Sequence, residues 1–120
     1  MVNALFDTCI LTDYLQGIRA AQSELRRYDH VAISAITWIE VMVGAPSEVR
    51  DQTRSFLDGF GLIPLDQEVV ERTVKLRQTY RVKLPDAIIW ASADTRGWLL
   101  ITRDHAFPKD HPGIRVPYRV

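Results

Sequence analysis

One cysteine, Cys9, stands in a chain of 120 residues, so neither an internal disulfide nor a multi-cysteine zinc or iron–sulfur site can form. That fits a reducing compartment, and the thiol itself reads as ordinary helix packing. No window approaches the roughly 18 unbroken apolar residues of a membrane span. The N-terminus also lacks the basic start, apolar stretch and small-residue cleavage site of a secretory signal, and the expectation is a cytoplasmic protein with no membrane partner. Charge of one sign is missing too: 15 Lys and Arg balance 15 Asp and Glu, so the whole-molecule field gives no hint of a nucleic-acid partner. Neither a glycine-rich phosphate loop nor a serine–histidine–acid set occurs in a suitable place. The three histidines, His30, His105 and His111, have no metal-ligand spacing, which argues against zinc.

What is there reads as one α/β domain over residues 1–120, since the chain can bury one core and is too short for two. Short unalternating apolar runs predict buried strands at Val2 to Phe6, Val31 to Ile33, Leu62 to Leu65 and Trp98 to Ile101, with an edge strand at Ile114 to Val116. Between them the spacing becomes helical: Ile10, Leu11, Tyr14 and Leu15; Ile36, Ile39 and Val43; Val69, Thr73, Leu76 and Tyr80; Ile88, Ala91 and Ser92. Breakers fall between these segments, at Gly17, Gly44 to Pro46, Gly59 and Gly61, Pro85 and Gly97. Strands alternating with helices predict a mainly parallel sheet covered on both faces. In such a sheet ligands collect beyond the carboxyl ends of the strands, so acids at the strand-to-helix junctions matter.

Four acids occupy those junctions, and each has an ordinary structural role open to it. Asp7 follows the first strand and suits a helix N-cap. Glu40 completes the capping-box spacing with Thr37, although an acid between Ile36, Ile39 and Val43 on one side and Trp38, Val41 and Met42 on the other needs a partner. Asp86 follows Pro85, a residue favoured at the first helical position, where its charge complements the helix dipole. Asp104 follows the last long strand and could close a turn. The separate roles do not predict that all four junctions should be acidic. Four carboxylates on one edge repel one another, and a hard divalent cation, Mg²⁺ or Mn²⁺, relieves the conflict while activating a water molecule. Arg72, Lys75, Arg77, Arg81 and Lys83 form an acid-free basic stretch ending just before Asp86. By itself it reads as a solvated helix face; beside a carboxylate site it could track a phosphate backbone, as could Arg103.

The motifs Leu5-Phe6-Asp7-Thr8 with Leu11 and Tyr14-Leu15, Ser34-Ala35-Ile36-Thr37-Trp38-Ile39-Glu40-Val41 with Gly44, Leu84-Pro85-Asp86-Ala87-Ile88-Ile89 with Ala91, and Leu99-Leu100-Ile101-Thr102-Arg103-Asp104 resemble those of PIN-domain ribonucleases. In particular they resemble the VapC-type toxins of toxin–antitoxin pairs. The resemblance runs from Leu5 to Tyr118. It implies a three-layer α/β/α sandwich, an acidic quartet of Asp7, Glu40, Asp86 and Asp104 around Mg²⁺ or Mn²⁺, and supporting hydroxyls at Thr8 and Thr102. It also implies an RNA substrate, a cognate VapB-like antitoxin and a homodimer. Many relatives place a further acid shortly after the position of Asp104, whereas here His105, Ala106 and Phe107 intervene before Asp110, which leaves a second ion open.

On this basis Asp7, Asp86 and Asp104 would ligate the ion, and Glu40 would ligate it or orient the attacking water. The apolar helices around Ile10 to Leu15 and Ile36 to Val43 could offer the antitoxin its groove. Two readings from other classes stand beside this one. A phosphatase or phosphotransfer domain would use Asp7 as nucleophile, but Cys9 stands where the haloacid-dehalogenase-like arrangement wants a second Asp. A noncatalytic RNA- or partner-binding module would keep the fold without the activity.

Overall fold

The computed structural model describes residues 2–108 and 110–119. Its five strands, β1 (Asn3–Phe6), β2 (His30–Ser34), β3 (Gly61–Ile63), β4 (Leu99–Ile101) and β5 (Ile114–Arg115), form one sheet in the order β3-β2-β1-β4-β5. Every pairing is parallel, with Ala4 opposite both Val31 and Leu99. Six α-helices connect them: α1 (Thr8–Leu15), α2 (Arg19–Leu25), α3 (Ala35–Gly44), α4 (Arg50–Leu57), α5 (Gln67–Thr79) and α6 (Leu84–Asp94). Among the described residues none is long and apolar enough to cross a membrane.

Successive strand residues point to opposite faces, and the core divides accordingly. Leu5, Ala32 and Leu100 pack with α5 and α6, around Val69, Leu76, Ile89 and Trp90. Ala4, Phe6, Ile33 and Ile101 pack with α1 to α4, around Ile10, Leu11, Ala21, Val41 and Leu57. The sandwich therefore has three layers, as expected. Gly17 (φ +82°) and Gly97 (φ +67°) follow α1 and α6 in the left-handed conformation that ends helices and that side chains resist.

Several expectations need correcting. The strand placed at Leu62 to Leu65 is β3, Gly61–Ile63, a sheet edge on which Ile63 is buried and Leu62 exposed; Leu65 lies beyond it, also exposed. Helices α2 and α4 carried no apolar period, because their buried residues are Ala21 with Glu24 and Thr53 with Leu57. In α3 the buried face is Thr37 and Val41, so Ile39 and Val43 project outward at 52% and 80% exposure. Ser34 caps that helix, its Oγ accepting from the Ile36 N–H at 3.1 Å. Thr37 and Glu40 are thus interior residues of α3, and their spacing is no capping box. Helix α6 begins at Leu84, which puts Pro85 second.

Candidate active site

The strand order reverses direction between β1 and β4, where the chain winds outward to β2 and β3 on one side and to β5 on the other. Crevices at such reversals, beyond the strand carboxyl ends, are where open α/β sheets bind ligands. Asp7 ends β1, and Thr102 and Asp104 follow β4. The Asp7 N–H continues the ladder to the Ile101 carbonyl at 2.9 Å.

Asp7 is 4% exposed. It caps α1, with Oδ1 accepting from the Thr8 N–H at 2.7 Å and Oδ2 from the Thr102 hydroxyl at 2.7 Å. Burial nonetheless pushes its pKa up to about 6, against lowering by these two hydrogen bonds, and the nearby charges of Asp86 and Asp104 push the same way. Asp86, in the first turn of α6, is also raised. Burial is again the main cause, with Asp104 and Glu40 adding to it and Lys83 opposing. Each of these acids thus feels two of the others. None of the four forms an ion pair among the described residues.

Glu40 reaches from α3 toward α1, where its Oε1 accepts from the Thr8 hydroxyl at 2.7 Å; Thr8 Oγ1 also lies 3.0 Å from Thr37 Oγ1. Glu40 is exposed, so the partner expected of an acid inside an apolar segment is not required by burial; the Thr8 hydroxyl orients it instead. Asp104 closes a turn as well as facing the site, its Oδ1 accepting from the Ala106 N–H and its own N–H donating to Thr102 Oγ1, both at 3.0 Å. Cys9 packs in the core, but its Sγ faces the site, 3.6 Å from Asp7 Oδ2 and 3.7 Å from Thr102 Oγ1. Burial followed by the Asp7 charge pushes its pKa up to about 11, so it stays a thiol.

No group of three or more His, Cys, Asp or Glu side chains among the described residues is drawn together closely enough to hold an ion. The donor set still suits a hard cation. It is made of carboxylate oxygens, one of them buried without a countercharge, and Mg²⁺ takes one or two carboxylates while keeping several waters.

The basic residues divide. Arg72 pairs with Asp94, and Arg77 Nε donates to the Val82 carbonyl at 3.1 Å. Arg103 turns away to Asp13, with Nε to Oδ2 at 2.5 Å and Nη2 to Oδ1 at 2.9 Å. Lys75, Arg81 and Lys83 are exposed and form no ion pair among the described residues. Asp13 had no assigned role, yet it is 2% exposed and also accepts from the Tyr118 hydroxyl at 2.7 Å. Its one sequence signal was its position, an acid within the apolar run of α1. A second such clamp joins Glu24 to Arg115 and Tyr28.

An open groove of about 820 Å³ runs between α1, α3 and α4, lined by Leu15, Val41, Pro46, Val49 and Thr53, with Glu40 at its wall.

The PIN-domain model matches residues 4–109. Comparison with curated proteins returns no match. Among solved structures, a toxin–antitoxin complex from Klebsiella pneumoniae contains a chain 47% identical to this one, with a TM-score of 0.91 over 98% of this chain and 99% of that one. VapBC2 of Rickettsia felis, bound to a DNA fragment from its promoter, shares the fold at 19% identity and a TM-score of 0.76 over 94% and 96% of the two chains. VapBC-5 of Mycobacterium tuberculosis shares it at 22% identity and 0.67 over 96% and 97%. Together with the three-layer parallel sheet, these matches identify the chain as a member of the PIN-domain family.

Proposed function

We propose that this protein is a metal-dependent endoribonuclease and the toxin of a toxin–antitoxin pair. The observation that carries the reading is Asp7, a carboxylate buried at the carboxyl end of β1 beside β4 and left without a countercharge, with Asp86 and Asp104 acting on it. A folded protein keeps so unfavourable a group where a cation is to be taken up.

In this reading Asp7, Asp86 and Asp104 hold Mg²⁺ or Mn²⁺. Bound there, the ion lowers the pKa of a water molecule and neutralises charge on the phosphate oxygens. Thr102 and the Thr8 N–H fix the Asp7 carboxylate. Glu40, tied to Thr8, would ligate the ion or orient the attacking water. The phosphodiester is hydrolysed with no covalent enzyme intermediate. Lys75, Arg81 and Lys83 are the members of the basic stretch available to the RNA backbone.

A cytoplasmic ribonuclease needs restraint, and the groove between α1, α3 and α4 suits the apolar face of a VapB-like antitoxin segment. Exposed Ile39 and Val43 extend the apolar surface on α3. The solved relatives are toxin–antitoxin complexes, which supports a partner of this kind. A homodimer is expected from the family resemblance alone.

The test is cleavage of RNA by the purified protein with Mg²⁺, with Mn²⁺ and with a chelator, alongside Asp7→Asn and Asp86→Asn. Metal-dependent cleavage lost in both variants, with circular dichroism unchanged, is the expected result. An undiminished rate in either variant would refute the assignment. The noncatalytic reading draws on the absence of a closed ion-holding group among the described residues. It gains if no RNA is cut with either metal. Growth arrest on induced expression separates a toxin from a housekeeping nuclease.

A further inference from the structure

Beside Asp104 lies a polar cavity of about 510 Å³, walled by Cys9, Arg103, Asp104, His105 and Arg119. A phosphate approaching this edge meets several acids, so its binding needs cations placed among them. Arg103 is the obvious candidate by sequence, but both arms of its guanidinium are taken by buried Asp13. Arg119 is exposed and forms no ion pair among the described residues. It also lines the adjoining cavity of about 210 Å³, again with Asp104 and His105. Arg119 therefore shares the walls of both cavities with Asp104.

Residues 116–119 form no helix or strand, and something must hold them. The Tyr118 ring packs against the core on the α1 side of the sheet, and its hydroxyl donates to Asp13 Oδ2 at 2.7 Å. The Asp13 carboxylate is fixed in turn by Arg103 of the β4 loop. One buried acid thus ties together α1, the loop bearing Asp104 and the tail.

We propose that the C-terminal tail is a wall of the active site, in which Tyr118, anchored on Asp13, presents Arg119 to a backbone phosphate of the RNA next to the one cleaved. Arg119 is a substrate-binding residue and Tyr118 a positioning residue. The inference rests on the ribonuclease reading and adds a binding residue that the acidic quartet does not contain.

The experiment measures binding of a fluorescent single-stranded oligoribonucleotide to the full chain over a range of salt, with Ca²⁺ replacing Mg²⁺ to prevent cleavage. Arg119→Gln should weaken binding severalfold and reduce the slope of log affinity against log salt by about 0.7, one phosphate contact on a single strand. Arg119→Lys should regain the slope. Tyr118→Phe should reproduce part of the loss, and both variants should keep the parent's Mg²⁺ affinity. The tail assignment falls if Arg119→Gln keeps the parent's slope, if Lys does not regain it, or if Tyr118→Phe binds like the parent. Those failures leave the nuclease reading intact as long as the parent cleaves RNA and Asp7→Asn does not. A parent that neither binds nor cleaves RNA overturns both.

Discussion

Asp7 caps α1 and Asp13 lies within it, and the two are almost equally buried, at 4% and 2% exposure, yet their pKa values move in opposite directions. Asp13 is lowered, chiefly by the Arg103 guanidinium and then by the Tyr118 hydroxyl, with burial opposing. Asp7 receives a hydroxyl and an N–H but no cation, and burial wins. Glu24 follows the Asp13 pattern: burial raises it, but Arg115 and Tyr28 together outweigh that and lower it. Asp86 follows Asp7. The acids therefore divide: Asp13 and Glu24 are neutralised from within, whereas buried Asp7 and half-buried Asp86 have no internal countercharge, and in the proposed function a cation would supply it. On the proposed function, stability would draw on the first pair and activity on the second.

The contrast is broken most completely by Asp7→Asn. Cleavage should fall to background, while the metal-free variant should be more stable than the parent by about 3 kcal/mol near neutral pH, the worth of a shift from 3.8 to about 6. Parallel thermal melts and RNA cleavage assays check both halves. Asp13→Ala should do the reverse. It leaves Arg103 without its partner and should cost about 3 kcal/mol in urea unfolding, with folded protein retaining some metal-dependent cleavage.

A finer test is the pH dependence. Between 3.8 and about 6 the folded state holds the Asp7 proton that the unfolded chain has released, so stability falls as pH rises through that window. The stability difference between Asp7→Asn and parent should accordingly grow across it and level off above. Saturating Mg²⁺ should shrink the difference at high pH, and a difference that stays flat would sink the burial account. The smallest effect concerns Thr102→Val. Loss of the hydroxyl held at 2.7 Å from Asp7 should move the acid limb of metal-dependent cleavage upward by about one pH unit.

Asp7 was legible because it falls where a strand period gives way to a helical one, but the other three acids are not at such junctions: Glu40 lies inside α3, Asp86 opens α6 after another helix, and Asp104 sits in the loop from β4 to β5. Helices α2 and α4 were not legible, since Glu24 and Thr53 face inward and are satisfied by Arg115 and by the Val49 carbonyl. Ile39 and Val43 misled for the opposite reason: apolar side chains counted as core lie on the surface. The Asp13–Arg103–Tyr118 clamp left little trace, because its members are far apart in sequence and meet only through the β1–β4 pairing. The basic stretch showed its charges but not that Asp94 occupies Arg72 and the Val82 carbonyl holds Arg77.

The pairing of β1 with β4 joins the two ends of the chain, and Thr102 reaches Asp7 across 95 positions. During synthesis Asp7 leaves the ribosome some 95 residues before Thr102 does. If the protein cuts RNA, a nascent chain lacks the finished centre until the β4 loop has followed β1 out of the ribosome and paired with it, so a ribosome is spared through that whole stretch of synthesis.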